Sequence, residues 1–131
     1  MANYCATARS NYFRVRNPEA FQNWVESLGG IFFDDPKKGV GFYMEPGDGW
    51  PLARLDDDGE YVEFDLTAEL AEHLAEGEVA ILMQSGAEKI RYITGTAWAV
   101  AWDGREICLG LDAIYELAEQ AFGIKPSYAS Y

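Results

Sequence analysis

Short apolar runs joined by tight polar turns are the feature of this sequence that most restricts its fold. Asp57-Asp58-Gly59 and Asp103-Gly104 each join two apolar runs, and an Asp-Gly pair in that position favours a β-hairpin. The runs 31–33 and 40–44 are separated by a polar loop and predict another hairpin. Because hairpins outnumber the segments that would connect parallel strands, we predict an antiparallel sheet.

Three segments have apolar residues at the spacing of an amphipathic helix. The first begins at Asn17, which is followed by a proline suited to the first helical position, and it ends at a Gly-Gly pair. The second begins near Asp65 or Thr67, and the third covers about 112–122. The residues expected to face the core are Phe21, Trp24, Val25 and Leu28 in the first helix, Leu66, Leu70 and Leu74 in the second, and Leu111, Ile114, Tyr115, Ala118 and Phe122 in the third.

The remaining segments predict strands. One is expected between Tyr4 and Arg16, and four more near 78–84, 89–94, 96–102 and 105–110. In the run 96–102, alanines occupy one face, and so small a face permits a helix to pack closely. We therefore predict a single α+β domain over 1–131, an antiparallel sheet with about three helices packed against it and a loose C-terminal tail from about residue 125.

Acidic residues are concentrated in the central third of the chain. The whole sequence has 22 Asp and Glu against 10 Lys and Arg, a formal net charge of −12. Residues 45–78 contain twelve of the acids and a single base, Arg54. Nucleic-acid phosphates and anionic membranes repel so negative a chain, so we expect a basic partner and neither direct nucleic-acid binding nor membrane association.

No residue pattern specifies a catalytic, metal or cofactor site. Cys5 and Cys108 are far apart and have no accompanying histidine cluster, so we expect free thiols in a reducing cytoplasm and no zinc site. If Gly59 were the glycine of an EF-hand, Arg54 would occupy the first calcium-ligand position, where Asp is needed. We therefore predict a protein that is not an enzyme and that has no cofactor and no bound metal.

Two residues each have two open interpretations. His73, beside Glu69 and Glu72, is either a solvated helix residue or part of a catalytic or metal site whose other members the sequence does not specify. Trp50 lies in the Gly- and Pro-containing loop 45–51, where it is either a lid on the core or an exposed anchor for a partner.

The acidic third predicts a binding surface. Like charges this close repel one another and lower stability, so a functional role would explain them. Carboxylates on a hairpin, a strand and a helix face resemble a row of duplex phosphates, and such a surface fits the basic groove of a nucleic-acid-binding protein. The predicted contact residues are Trp50, Asp56, Asp57, Asp58, Glu60, Glu63, Glu69, Glu72 and Glu76.

Several segments resemble small acidic proteins of phages and conjugative elements, namely 6–16, 19–21 with Trp24, 77–81 and 88–95. In size and charge, such proteins are similar to anti-CRISPR and antirestriction proteins, several of which mimic DNA. The resemblance implies a non-enzymatic inhibitor of a bacterial defence system, acting in the host cytoplasm on a CRISPR effector complex or, second, on a restriction enzyme. The basic residues Arg9, Arg14 and Arg16 depart from a purely acidic mimic.

A different class of function stays open. The chain is also consistent with a small-ligand-binding or housekeeping α+β module whose acidic surface only keeps it in solution, and a deep aromatic pocket with convergent polar groups would favour that alternative. Exposed edge strands of an antiparallel sheet also allow a homodimer.

Overall fold

The computed structural model of the chain describes residues 4–88 and 92–129. This part of the chain contains eight strands and three helices. In order they are β1 (Cys5–Ser10), α1 (Pro18–Ser27), β2 (Ile31–Asp35), β3 (Gly39–Gly47), β4 (Ala53–Leu55), β5 (Tyr61–Glu63), α2 (Leu66–His73), β6 (Val79–Glu88), β7 (Tyr92–Ala101), β8 (Glu106–Gly110) and α3 (Ala113–Phe122). The predicted α+β class is confirmed.

Six strands form one sheet in the order β2-β3-β1-β6-β7-β8, and β4 with β5 forms a separate hairpin. All neighbouring strands are antiparallel. The unit β1-α1-β2 has β3 between its two strands, and the unit from β3 through α2 to β6 has β1 between its two strands. This interleaving is the split βαβ arrangement, which β7 and β8 extend at one edge.

Helices α1 and α2 cover one face of the sheet. Along β1, Ala6, Ala8 and Ser10 are buried while the alternate residues are exposed, as expected of a strand with one face in the core. Phe21 of α1 is 0% exposed, and its ring lies 5.8 Å from that of Phe42 on β3. The residues predicted to face the core from the first two helices are all buried, which confirms that part of the prediction.

The ends of the first two helices follow the predicted capping residues. The Asn17 side chain accepts a hydrogen bond from the Ala20 N–H at 3.1 Å, and the Asp65 side chain accepts one from the Ala68 N–H at 3.2 Å. Each bond satisfies an amide that the first helical turn leaves without an intrahelical partner. The backbone leaves the helical region at Leu74, where ψ is 136°, so α2 ends at His73.

All three predicted hairpins are present. The turns at Gly59 and Gly104 have φ of 80° and 91°, a conformation in which a side chain is strained and glycine is not. Two strand predictions are wrong. Strand β1 ends at Ser10, and its continuation contributes only isolated bridges, because the chain leaves the sheet there. The strands expected at 89–94 and 96–102 form one strand, β7, since its pairing with β6 is continuous from Tyr92 to Ala101; residues 89–91 lie outside the described residues.

The C-terminal region contradicts the predicted packing. Helix α3 spans the expected residues, but it buries none of them, and Leu111, Ile114 and Phe122 are 57%, 61% and 75% exposed. The alanines of β7 pair with Ile81 and Met83, on the side of the sheet away from α1 and α2. No described helix covers that side, because both helices that cross over the sheet do so on the opposite face. Among the described helices, none is long and apolar enough to cross a membrane.

Candidate functional site: an acidic hairpin arm

The hairpin of β4 and β5 stands apart from the main sheet. We call residues 52–64 the acidic arm. It contains five acidic residues and one base. Its strands pair through Ala53 with Glu63 and Leu55 with Tyr61, and the turn closes through a 2.8 Å bond from the Asp56 N–H to the Glu60 carbonyl. The arm therefore presents a two-stranded element whose tip carries most of its charge.

The carboxylates at the tip have different tasks. One oxygen of Asp56 accepts hydrogen bonds from the backbone N–H groups of Asp58 and Glu60, both at 2.9 Å. Asp56 therefore holds the turn, in the manner of an Asx-turn. Asp57, Asp58 and Glu60 are exposed, and so is Glu63 at the end of β5.

The exposed tip carboxylates have no ion-pair partner among residues 4–88 and 92–129. The two ion pairs found there join Arg54 to Glu69 and Arg105 to Asp103. The negative charge of Asp57, Asp58 and Glu60 is therefore not neutralised by the described part of the chain, and it is available to cations from outside.

Glu69 anchors the root of the arm. Its carboxylate accepts both arms of the Arg54 guanidinium, with Nη2 at 3.0 Å from Oε2, and it accepts the indole N–H of Trp24 at 2.9 Å. The same guanidinium lies 4.7 Å from the ring centre of Phe64, the last residue of the arm, which is also at its root. Glu69 was predicted as a free contact residue on the outer face of α2. Its carboxylate is instead bonded within the chain, because a largely buried indole N–H and a half-buried arginine need an acceptor.

The predicted acidic stripe on the second helix is shorter than expected. Glu72 is exposed on α2, but the helix ends at His73, and Glu76 is exposed in the turn that follows. The chain turns there because the Ala75 N–H bonds to the Arg14 carbonyl at 3.1 Å instead of continuing the helix. Glu69, Glu72 and Glu76 therefore do not form one row.

Of the two placements open for Trp50, the structure has the lid on the core. Trp50 is 7% exposed and its ring centre lies 5.0 Å from that of Phe42. The Trp50 backbone N–H donates to Gln84 Oε1 at 2.9 Å, which fixes the loop on β6. A buried indole is not an exposed anchor, so Trp50 leaves the set of predicted contact residues.

The arm has apolar side chains that the sequence analysis did not single out. Leu52 and Tyr61 are 79% and 77% exposed, and Leu55 and Val62 are 57% and 48% exposed. Their position beside the Asp-Gly turn could have pointed to them, because a short isolated hairpin has no second layer to cover its side chains.

His73 is partly buried and its ring packs beside the aromatic core. Its ring centre is 5.2 Å from that of Trp24 and 5.9 Å from that of Phe21. Burial lowers the pKa of His73 from its ordinary value, and the negative charges of Glu72 and Glu69 oppose this shift. Within the described ranges, no three His, Cys, Asp or Glu side chains converge on a site that could hold a metal ion.

The basic residues near the N-terminus do not act as one cluster. The guanidinium of Arg9 lies 5.1 Å from the ring centre of Phe33, on the side of the sheet that the helices leave bare. The Arg16 Nε donates to the Leu74 carbonyl at 2.9 Å, at the C-terminal end of α2, where a positive charge is favourable. Arg16 therefore supports the fold near one helix end.

A cavity of about 520 Å³ lies between the root of the arm and the sheet. Trp50, Phe64 and Trp98 contribute to its wall, together with Gln84 and Asp65. Both polar groups are already bonded within the chain, Gln84 to the Trp50 N–H and Asp65 to the first turn of α2. The Trp50 indole N–H is buried and has no hydrogen-bond partner among the described residues.

No family model matches this chain. Comparisons with curated proteins and with solved structures also give no match. The chemistry of the acidic arm is therefore argued from its own residues.

Proposed function

We propose that this protein is a non-enzymatic inhibitor that inserts its acidic arm into the basic nucleic-acid groove of a bacterial defence complex, with a CRISPR effector as the first candidate and a restriction enzyme as the second. The observation that carries the proposal is the tip of the arm, where Asp57, Asp58 and Glu60 are exposed and lie outside the described ion pairs.

The construction of the arm suits this task. A basic groove that binds nucleic acid presents Lys and Arg side chains to phosphates, and carboxylates compete for the same donors. Because the Arg54–Glu69 pair and the Asp56 turn already order the arm, binding loses less conformational entropy than a disordered acidic segment would lose.

The arm also offers apolar contact area. Leu55 and Tyr61 are paired across the hairpin next to the acidic turn, and both are more than half exposed. In protein interfaces, a buried apolar or aromatic anchor contributes most of the affinity, while charges at the rim steer association and set its salt dependence. We therefore expect affinity from Tyr61 and Leu55, and rate and selectivity from the carboxylates.

A capture experiment tests the proposal. The tagged protein is incubated with bacterial lysates that contain CRISPR and restriction complexes, at two salt concentrations and with duplex DNA as competitor. We expect the protein to retain a nucleic-acid-binding complex at low salt. Added salt and duplex DNA should each release the complex, because salt anions and DNA phosphates compete with the carboxylates of the arm for the same basic residues.

The matched variants keep the number of reversed charges constant. Asp57→Lys, Asp58→Lys and Glu60→Lys together reverse the tip and leave the Asp56 turn in place. The control reverses Glu26, Asp34 and Glu106, which are exposed and lie outside the arm. Loss of capture with the tip variant alone supports the proposal, and equal capture by wild type and a folded tip variant contradicts it.

Ligand binding in the cavity is a weaker second candidate. Its volume falls in the range of small-molecule sites, roughly 300–1,000 Å³. However, its Gln84 and Asp65 side chains already bond to the backbone, so these two groups are not free to orient a ligand. Trp98 lines this cavity, so a Trp98→Ala variant that still captures the same complex would separate the cavity from the binding surface.

A further inference from the structure

One face of the main sheet is uncovered. We call it the open face. It carries the outward residues of β1, β6, β7 and β8, and the register places Arg9, Met83, Ala97 and Leu109 next to one another across these four strands. A groove of about 380 Å³ lies on it, and its lining combines small residues such as Gly95 and Ala97 with larger apolar residues such as Met83 and Leu109. The open face therefore has the shape that accepts a helix.

The open face contains no carboxylate on these four strands, although the chain has 22 acidic residues. The outward side chains described there include one charge, Arg9. The other residues of this set are Cys5, Thr7, Val79, Ile81, Met83, Ser85, Ala87, Ile93, Gly95, Ala97, Ala99, Ala101, Ile107 and Leu109. Two copies of a chain with a net charge of −12 repel one another over most of their surface, and the open face is where that repulsion is weakest.

Helix α3 has an apolar stripe that nothing described in its own chain covers. Ile114, Leu117 and Ala121 recur at offsets of three and seven, and the first two are 61% and 55% exposed. Glu116, Glu119 and Gln120 fall on the other side of the helix. A helix of ten residues is too short to be stable in water by itself, since isolated helices below about 12–15 residues are marginal. The helix therefore needs a packing surface.

The start of α3 lies at the end of the open face. The Leu111 N–H donates to the Gly95 carbonyl at 2.8 Å, and the Leu111 side chain lies so close to Gly95 that a Cβ there would be 2.7 Å from it. Beyond this point α3 shares no broad contact with another described element. The chain thus carries an uncovered helix beside an uncovered face.

We propose that a second copy of this chain is the partner of both surfaces, in a two-fold symmetric dimer in which α3 of each copy packs its Ile114–Leu117–Ala121 stripe on the open face of the other. Such an exchange is reciprocal, as a two-fold axis requires. The proposal concerns a region outside the acidic arm and stands independently of the inhibitor function.

The exposed apolar area agrees with a dimer. Eight large apolar side chains of the open face, of α3 and of the turn between β8 and α3 are between 55% and 75% exposed, namely Met83, Ile93, Ile107, Leu109, Leu111, Ile114, Leu117 and Phe122. Burying a fully exposed side chain of this kind removes roughly 60–120 Å² of apolar surface, so at about 60% exposure the eight together offer roughly 300–600 Å² per copy. A stable interface buries about 800 Å² per partner, of which about 65% is apolar in homodimers. The two amounts are similar.

The first measurement is the mass of the protein in solution, by light scattering coupled to size exclusion over a range of concentrations. We expect twice the mass of the 14.6 kDa chain. Leu109→Arg on the open face and Leu117→Arg on α3 each place a charge in the interface, and each is expected to weaken dimerisation roughly 30-fold or more, the size of a hot-spot loss. Leu52→Arg, at an exposed leucine of the acidic arm, is the control and leaves the dimer intact.

Mixing the two variants tests the exchange itself. A mixture of Leu109→Arg and Leu117→Arg restores one undamaged interface, since the first variant has an intact helix and the second an intact open face. We expect the mixture to form a dimer at concentrations at which each variant alone is a monomer. Circular dichroism confirms that both variants fold; if Leu109→Arg does not fold, Ile107→Arg, at a side chain 75% exposed, replaces it.

The other outcomes overturn the proposal. A wild-type protein that is monomeric up to its solubility limit assigns the open face to a different occupant. A dimer that both variants leave intact places the contact elsewhere, and a mixture that stays monomeric excludes the reciprocal exchange.

Discussion

Helices α1 and α3 have the same length and the same kind of amphipathic pattern, but the apolar side of α1 is buried and that of α3 is exposed. Both have ten residues. In α1, Phe21 and Val25 are 0% exposed, whereas in α3 the corresponding stripe is more than half exposed. The comparison teaches that apolar spacing indicates which side of a helix is to be buried, and that it carries no information about what covers that side.

Chain connectivity explains the difference. Helix α1 connects β1 to β2 with β3 between them, so the chain has to cross over the sheet, and the helix is brought onto one face. Helix α3 follows the edge strand β8, and no later described strand requires it to return. The topology therefore fixes the position of α1 on the sheet, whereas it places no such constraint on α3.

The largest expected effect is a difference in stability between substitutions in the two helices. Phe21→Ala removes a ring that contacts Phe13, Trp24, Phe32 and Phe42 and is expected to lower the free energy of unfolding by about 3–5 kcal/mol. Leu117→Ala in α3 is expected to change it by less than about 0.5 kcal/mol in the monomer. Chemical denaturation at protein concentrations at which the chain is monomeric measures both. Comparable losses would show that α3 packs within its own chain.

A second prediction compares the root of the acidic arm with its tip. Glu69→Ala leaves the Arg54 guanidinium and the Trp24 indole N–H without their acceptor, and we expect a loss of about 1–3 kcal/mol. Glu69→Gln keeps an acceptor for the indole and removes the ion pair, so a smaller loss is expected. Urea denaturation of the two variants and of Asp57→Ala, which should resemble wild type, checks this order. If Glu69→Ala were as stable as Asp57→Ala, Glu69 would not anchor the arm.

The third prediction concerns His73, which packs against α1, and the pH dependence of stability that it causes. Helix α3 has no histidine packed against it. The pKa of His73 is lowered in the folded state, so the unfolded chain binds the proton more readily. The stability that depends on neutral His73 is therefore complete above the ordinary pKa of 6.5 and is lost as the pH falls from there towards the lower folded-state pKa. Glu69 and Glu72 oppose the shift, which keeps the effect smaller than those above.

The measurement is the difference in the free energy of unfolding between wild type and His73→Gln as the pH is lowered from neutral. As the pH falls, the free energy of unfolding of wild type should decrease relative to that of the variant, because only wild type has His73 to protonate. A difference that does not depend on pH between neutrality and the acid range would show that His73 has the same pKa in both states.

The smallest expected effect is at the tip of the arm. Asp57→Lys, Asp58→Lys and Glu60→Lys are each expected to change the free energy of unfolding by no more than about 0.5 kcal/mol, because these side chains are exposed and lie outside the described ion pairs. Asp56→Ala should cost more than any of them, because it removes the acceptor of two backbone N–H groups. Thermal unfolding monitored by circular dichroism ranks the four. A tip substitution that cost more than Asp56→Ala would indicate that the tip contributes to the fold.

Local signals in the sequence were sufficient for the element types and for several boundaries. Asn17 and Asp65 cap the helices that follow them, and the Asp-Gly turns join hairpins, because these effects depend on residues only a few positions apart. The signals failed where partners were distant in sequence. Glu69 was expected on an outer face, yet its carboxylate meets Trp24, 45 positions earlier, and helical spacing alone cannot show such a contact.

The sequence by itself determined an acidic α+β chain with an antiparallel sheet, the buried sides of α1 and α2, and an acidic turn at residues 56–60. Only the tertiary structure decided that Trp50 covers the core, that Glu69 anchors the arm, and that the open face and α3 lack a cover within the described chain. The physical reason is that capping and turn preferences act within a few residues, whereas burial depends on which surfaces the connections between strands bring together.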